Sequence, residues 1–185
     1  MNVQDEKLLL KLARKSIESK FSDKKHIFDS ILNEVSHLNK KQGVFVTLHK
    51  KGELRGCIGI PEPVMPLGDA IINAAKSAAF HDSRFPAVTQ DEIKEIKIEI
   101  SVLTVPKKLS VEKPDDLLDK IHIGKDGLII RSIYGSGLLL PQVAAQQGWN
   151  TTEFLEYLCL KAGLPNNAWK ENDIYIFQAE IFSEN

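Results

Sequence analysis

The chain has 185 residues, 43% of them hydrophobic and 26% charged, which are ordinary values for a globular protein. This length fits one domain, or one domain with a smaller lobe. The 24 Lys and Arg residues balance the 25 Asp and Glu residues, which disfavours a nucleic-acid-binding protein because such proteins usually need a basic domain or stripe.

The start of the chain, residues 1–7, lacks the basic, apolar and small-residue segments of a signal peptide, and no apolar run approaches the ~20 residues of a membrane helix. Cys57 and Cys159 have no neighbouring cysteine, and neither they nor the five histidines show metal-ligand spacing. We therefore expect a cytoplasmic protein with reduced thiols, without a metal site or a cofactor.

Two amphipathic helices are predicted next, over residues 5–21 and about 25–38, because apolar residues recur in both on a helical period. Neither segment carries a chemical motif, so packing is the expected role of both. The apolar stripes are Leu8, Leu9, Leu12, Ala13 and Ile17 in the first helix, and Ile27, Phe28, Ile31, Leu32 and Val35 in the second.

A β-hairpin follows, with strands over residues 43–49 and 53–60 and a three-residue turn between them. This turn length pairs His49 with Glu53 and Thr47 with Arg55. Side chains alternate along a strand, so a mixed polar face is predicted for Thr47, His49, Arg55 and Cys57. The opposite, core-facing side is predicted to carry Val46, Leu48, Leu54 and Ile58. A slip of one residue would exchange the two faces.

The middle of the chain predicts an Ala-rich helix over residues 67–80, a polar loop over 81–86 and a strand over 97–104. In that strand, Ile98 and Ile100 face the core while Glu99 and Ser101 face away from it. Further along, helices are predicted over residues 110–120, 142–147 and 151–162, a hairpin over 121–131 and a last strand over 173–182. No linker separates independent domains, so residues 1–185 are predicted to form a single domain.

Several strings, in this order along the chain, identify a family. They are residues 54–59 (LRGCIG), Asp82 with 84–86 (RFP), 99–103 (EISVL), Gly124 with 126–128 (DGL), 137–144 (GLLLPQVA), Trp149 and 161–164 (KAGL). Together they resemble the AMMECR family, whose prokaryotic members are also labelled AmmeMemoRadiSam system protein A. The chain departs from many relatives at Ile60 and Pro61, where they have Thr followed by Leu or Phe, and at Ser83, where they often have Pro.

The resemblance implies an α+β fold with a larger lobe, in which helices flank a β-sheet, a second smaller lobe, and a cleft between them as the functional site. It implies no settled activity. It does imply partners, because prokaryotic members tend to accompany a Memo-like protein and a radical SAM protein, which suggests a shared modification pathway.

Cys57 is the candidate nucleophile. A thiol reacts as the thiolate, which Arg55 and the unshielded amides of Gly56 and Gly59 could stabilise. His49 or, less directly, His81 could act as the base. The alternative is that Cys57 is a small packing residue between strand and helix, as is expected for Cys159 in its helix.

Arg55, Asp82 and Arg84 could form an anion-binding corner, because arginine presents a rigid fork of donors. The alternative is an ion pair, Arg84 with Asp82 or Arg55 with Glu99, that fixes the loop to the sheet.

Three further residues are candidates. Glu99 could be an acid or base, or else the partner of an arginine. Ser101 lies on the same face and could contact a substrate. Gln142, at the start of a helix, could bind an anion or cap the helix.

Three classes of function stay open. The first is an enzyme or enzyme subunit that binds a small anionic substrate or a protein side chain. The second is a non-catalytic scaffold for the Memo-like and radical SAM partners, which predicts a quiet thiol and an exposed apolar patch. The third is an RNA-binding module, which requires a basic face with exposed aromatics such as Phe45, Tyr175 and Phe177.

Overall fold

A computed structural model of the protein describes residues 1–22 and 36–184. The chain divides into two compact units, Met1–Leu103 with Glu180–Asn185, and Thr104–Ala179. Each unit has its own four-stranded sheet, so the α+β prediction is confirmed. Most of the second predicted helix falls on residues 23–35, outside the described residues. In the described part, no helix has the length and apolar character needed to cross a membrane.

The first unit packs two helices on one face of its sheet. The helices are α1 (Val3–Glu18) and α2 (Leu67–Phe80). The sheet has the order β2-β1-β3-β8, formed by β1 (Val44–Lys50), β2 (Glu53–Ile60), β3 (Ile96–Leu103) and β8 (Ala179–Ser183). Small residues of α2, such as Ala74, Ala75 and Ala78, are buried in this core, and their size allows the helix to approach the strands closely.

The register of the β1–β2 hairpin differs from the prediction. His49 pairs with Leu54 and Leu48 with Gly56, so Arg55 is the extra residue of a β-bulge. The turn has two residues, Lys51 (φ 54°) and Gly52 (φ 86°), not three. A two-residue hairpin turn with positive φ at both positions matches the twist of the strands, and this geometry fixes the shorter connection.

The second unit lies, in the chain, between β3 and β8. Its sheet has the order β4-β7-β5-β6, formed by β4 (Lys107–Lys108), β5 (Gly127–Ser132), β6 (Gly135–Leu139) and β7 (Asp173–Phe177). Its helices are α3 (Leu117–Lys120), α4 (Pro141–Gln147) and α5 (Thr151–Lys161). Asn150 and Glu153 form the predicted capping box at the start of α5, whose Phe154 and Leu158 are buried in the core.

One predicted strand of this part of the chain was wrong, and another is divided. Residues 121–123 are not a strand, because the Asp126 carboxylate accepts hydrogen bonds from His122 and holds the segment in a turn. The last predicted strand is divided into β7 and β8 at Gln178. There, Gln178 and Thr104 exchange hydrogen bonds where the chain enters and leaves the second unit.

Candidate functional site

One face of the first sheet lies opposite the helices and carries alternate residues of β1 and β3. We call it the polar face. Thr47 pairs with Cys57 of β2 on one side and with Glu99 of β3 on the other. These three residues therefore form one row across three strands, about 5 Å apart from strand to strand. The Thr47 hydroxyl donates a hydrogen bond to Cys57 Sγ over 3.3 Å, and Cys57 is half-buried.

The loop after α2 holds the backbone of Cys57 at the edge of the sheet. The Asp82 carboxylate accepts a hydrogen bond from the Cys57 N–H (2.9 Å), and Arg84 Nη2 donates to the Cys57 carbonyl (3.1 Å). Since β2 is an edge strand, these two side chains satisfy groups that a neighbouring strand would otherwise bind. The loop thus fixes the position of Cys57 on the polar face.

Asp82 and Arg84 also bind each other. Arg84 donates to Asp82 through Nε (2.9 Å) and Nη2 (2.7 Å), and its backbone N–H donates as well. These hydrogen bonds, first those of the Arg84 side chain, hold the pKa of Asp82 well below its usual range although the carboxylate is buried. The structure therefore contains the ion pair that fixes the loop to the sheet.

Arg84 is nevertheless more than half exposed. Asp82 raises the pKa of Arg84, and the Cys57 side chain adds a smaller contribution in the same direction, while the guanidinium donates to the Cys57 carbonyl. Thr47 contacts the Cys57 side chain and Arg84 contacts the Cys57 backbone, so both are polar neighbours of this residue.

Arg55 does not belong to the polar face, which corrects the predicted arrangement. Its guanidinium makes two hydrogen bonds of 3.1 Å to Glu92, a residue that also contacts Lys50. Side chains alternate along β1, so Lys50 lies on the side of the sheet opposite Thr47 and His49, which is the side that the helices cover. Because Arg55 binds the same carboxylate as Lys50, Arg55 also reaches that side. The bulge causes this change, and it also leaves Leu54 42% exposed beside His49 instead of in the core.

Glu92 is the anionic centre of that network. Hydrogen bonds from Arg55, with smaller contributions from the Thr89 N–H and Lys50, lower the pKa of Glu92 from 4.5 to about 2. The arginine side chain is only 11% exposed, and its Nη1 is buried with no hydrogen-bond partner in the described part of the chain. The predicted pair of Arg55 with Glu99 does not form.

We expect the Glu92 network to make stability depend on pH. A folded-state pKa below the unfolded value means that its contribution is complete above about pH 4.5 and is lost as the pH falls toward 2. The substitution Glu92→Gln should therefore cost about 1 to 3 kcal/mol at pH 7 and much less near pH 2.5. Urea unfolding at both pH values measures this. Glu53→Gln, at an exposed position of β2, is the control, and an equal cost at both pH values would contradict the assignment.

Glu99 and Ser101 lie where the sequence predicts them, on the side of β3 opposite Ile98 and Ile100. Glu99 is half-buried, and among the described residues it has neither an ion-pair nor a hydrogen-bond partner. Ser101 pairs with Phe45 and is buried. An unpaired carboxylate in the row of Cys57 is the feature that favours a chemical role for Glu99.

Two other candidates lie elsewhere. His81 is exposed, ends α2 and lines a groove of about 310 Å³ with Ser16, Ser19 and Lys20 near the end of α1. Gln142 belongs to the second unit. Its Oε1 is buried without a hydrogen-bond partner in the residues described, and it forms no cap of α4.

The two glycines of the LRGCIG string serve close packing. A Cβ on Gly56 would lie 2.2 Å from the Ala78 carbonyl oxygen of α2, and one on Gly59 would lie 2.3 Å from the Phe45 ring. Gly56 therefore lets the edge strand approach α2 closely, and Gly59 makes room for a side chain of β1.

Sequence reasoning placed Thr47 and His49 on the polar face but did not count Thr47 or Lys97 as site residues. Thr47 contacts the Cys57 sulfur, and Lys97 pairs with His49 on the same face. The period-two alternation of β3 is a signal that could have found Lys97. No group of three His, Cys, Asp or Glu suited to a metal ion occurs within residues 1–22 and 36–184.

Comparison with known proteins gives the family. A family model described as AMMECR1 matches residues 10–182. The chain belongs to the AMMECR1 family. The predicted resemblance is thereby confirmed, and the Cys57 row lies within the part of the chain that the AMMECR1 model matches.

Individual proteins of similar sequence, and one solved structure, support the family assignment. The chain is 48% identical to protein MK0488 of Methanopyrus kandleri, over all of this chain and 90% of that protein. It is 47% identical to protein MJ0810 of Methanocaldococcus jannaschii, over all of this chain and 92% of that protein. The crystal structure of the uncharacterised protein PH0010 from Pyrococcus horikoshii matches this AMMECR1-family fold with a TM-score of 0.88, at 40% identity, over all of this chain and 94% of that one.

Proposed function

We propose that this AMMECR1-family chain is an enzyme, or an enzyme subunit, in which the Cys57 thiol acts on a small anionic substrate or a protein side chain. The observation that carries the proposal is the row of Cys57, Thr47 and Glu99, with Arg84 bound to the Cys57 carbonyl. All four residues belong to the first unit, and the proposal rests on that unit alone.

Each residue has a distinct role. The Cys57 thiol loses its proton to solvent, and the thiolate forms a bond to an electrophilic carbon of the substrate while the bond from that carbon to a leaving group breaks, with the electron pair going to the leaving group. The Thr47 hydroxyl and the Arg84 guanidinium stabilise the anionic sulfur, and Arg84 has enough exposed surface to bind an anionic group as well. Glu99 lies two strands away from Cys57, about 10 Å, so it exchanges protons or hydrogen bonds with a substrate that extends across Thr47, not with the thiol itself.

The reactivity of the two cysteines tests this proposal. We expect iodoacetamide to label Cys57 in the folded protein, and at pH 6.5 to do so faster than it labels N-acetylcysteine. Cys159 is fully buried and burial raises its thiol pKa, so it should react only in urea. Mass spectrometry of the labelled peptides, over a pH series, measures both rates.

Matched variants separate the causes. Cys159→Ala should leave the Cys57 rate unchanged, whereas Thr47→Val and Arg84→Gln should each slow it by removing a group that stabilises the thiolate. If Cys57 stays inert until the protein unfolds, the catalytic proposal is wrong and Cys57 is a packing residue.

A scaffold for Memo-like and radical SAM partners is the second candidate function, and one observation favours it. Ile133 and Tyr134, at the two-residue turn between β5 and β6, are 91% and 83% exposed. Turn positions normally hold Gly, Asn or Asp, so two large apolar side chains there are available for contact with another protein. If Cys57 reacts no faster than a free thiol, or not at all, the result would favour the scaffold function over the enzyme function.

The RNA-binding alternative has less support. Phe177 is buried with its ring against Gly127, and Tyr175 lies under the Arg131 guanidinium at 4.4 Å. Phe45 is half-buried with its ring over Gly59. These three aromatics therefore do not provide the exposed stacking surface that single-stranded RNA requires.

A further inference from the structure

A groove of about 620 Å³ lies on the first unit beside the Cys57 row. Its walls come from the end of β1, the Lys51–Gly52 turn, the segment 95–99 and the end of β8. This volume is typical of sites for small molecules. Glu99 belongs both to the groove and to the row, so a molecule lying in the groove extends toward Thr47 and Cys57.

The charges of the groove are only partly neutralised by the protein. Glu184 is held by Arg14, and Glu95 lies 3.7 Å from Lys50 and 4.0 Å from Lys51, the exposed lysine of the turn. In the described residues, Lys97 and Glu99 have no ion-pair partner, and His49 beside Lys97 makes no hydrogen bond through its ring. The groove thus offers a cation at Lys97, with the His49 imidazole beside it as a hydrogen-bonding group, and an acceptor at Glu99.

The sheet fixes the spacing of these groups. Lys97 and Glu99 are two residues apart on β3, about 7 Å, and Cys57 lies two strands from Glu99, about 10 Å. The diagonal from Lys97 to Cys57 is therefore about 12 Å. A molecule that contacts both ends must be extended, with its anionic group remote from the atom that meets the sulfur.

We propose that the groove binds the anionic end of an extended substrate, a carboxylate or a phosphate, at Lys97 and His49. Glu99 accepts a hydrogen bond from a donor in the middle of that substrate, and the reacting atom lies at Cys57 Sγ. This inference rests on the proposed function, because it takes Cys57 as the reacting group. It adds the substrate class: a molecule about 12 Å long with a terminal anion.

Maleimides with different tails test the inference on the Cys159→Ala protein. The probes are neutral N-ethylmaleimide, the short acid 2-maleimidoacetate, the long acid 6-maleimidohexanoate and a maleimide with a pentyl phosphate tail. We expect at least one long anionic probe to react with Cys57 about tenfold faster than N-ethylmaleimide, relative to the same ratio for N-acetylcysteine. That advantage corresponds to about 1.4 kcal/mol of binding free energy.

Charge-reversal variants locate the effect. Lys51 and Lys97 are the lysines that line the groove. Replacing both, Lys51→Glu with Lys97→Glu, should abolish the advantage of the long probes, and high salt should weaken it. Lys7→Glu with Lys11→Glu, two exposed positions of α1, makes the same change in net charge and should leave it intact. The short acid, which reaches only the neighbourhood of Arg84, should respond to neither pair.

The outcomes separate the two proposals. If Cys57 reacts with all probes at the same relative rate, or if both double variants behave alike, the groove inference is overturned while the reactive thiol stands. If no probe labels Cys57 in the folded protein, the proposed function itself fails. The long tail that gains more, carboxylate or phosphate, identifies the anion.

Discussion

The substitution Gly56→Ala should unfold the first unit or destabilise it by about 3 kcal/mol or more. The new Cβ would lie 2.2 Å from the carbonyl oxygen of Ala78, and neither the edge strand nor α2 can withdraw without losing contacts of the buried Ala74, Ala75 and Ala78. Urea unfolding followed by circular dichroism measures the loss. The control is Glu53→Ala, at an exposed position of the same strand.

Gly59→Ala gives a sharper contrast with Gly56→Ala. The obstacle at Gly59 is the Phe45 side chain, at 2.3 Å, not backbone. Adding Phe45→Ala should therefore recover part of the stability that Gly59→Ala removes, whereas truncating a side chain near Gly56 should recover none. An alanine tolerated at position 56 would show that α2 does not approach β2 as closely as described, and the packing explanation of LRGCIG would be wrong.

Replacing Asp82 should have the second largest effect. The Asp82→Ala variant loses the carboxylate that binds the Cys57 N–H, the Arg84 N–H and the Arg84 guanidinium, and we expect a cost of about 2 to 4 kcal/mol. Because the pKa of Asp82 is lowered in the folded protein, this contribution is complete at neutral pH and is lost only in acid. The free energy of unfolding at pH 7, from urea titration, gives the value.

A double-mutant cycle isolates the pair. Arg84→Ala should cost less than Asp82→Ala, because Arg84 is more than half exposed and its removal leaves the carboxylate with two backbone donors. The double variant should cost less than the sum of the two, with a coupling energy of about 1 to 3 kcal/mol. Purely additive costs would mean that the ion pair does not hold the loop on the edge of β2.

Most residues of the LRGCIG string have a structural role. Gly56, Gly59 and Arg55 have packing or ion-pair roles in the structure, whereas Cys57 is the residue of the string whose side chain binds a polar group of the polar face, the Thr47 hydroxyl. The chemical role proposed for the string therefore falls on the Cys57 sulfur, with Thr47 and Arg84 as its polar neighbours.

Local pattern predicted much of the fold. The helical period found α1, the Ala-rich composition found α2, and alternation placed Glu99 and Ser101 on the side of β3 opposite the core. The capping box at Asn150 marked the start of α5. The ordered family strings identified the AMMECR1 family from sequence. In each case the information lies within a few neighbouring residues or in a string that can be matched directly.

The tertiary structure decided the rest, because it depended on contacts between segments that are distant in sequence. A bulge at Arg55 moved that side chain off the face of Cys57 and onto Glu92, and no local signal distinguishes a two-residue turn with a bulge from a three-residue turn. The crowding that requires Gly56 comes from Ala78 on another element.

The sequence by itself therefore determined the family and the types of most elements, and it singled out Cys57 as a candidate. Only the tertiary structure decided which side chains surround that cysteine. The physical reason is that strand alternation is set by the backbone of a single segment, whereas register, bulges and edge contacts are set by the partner that the segment meets. The neighbours of Cys57, namely Thr47 on β1 and Arg84 in the loop after α2, come from two different partners of β2.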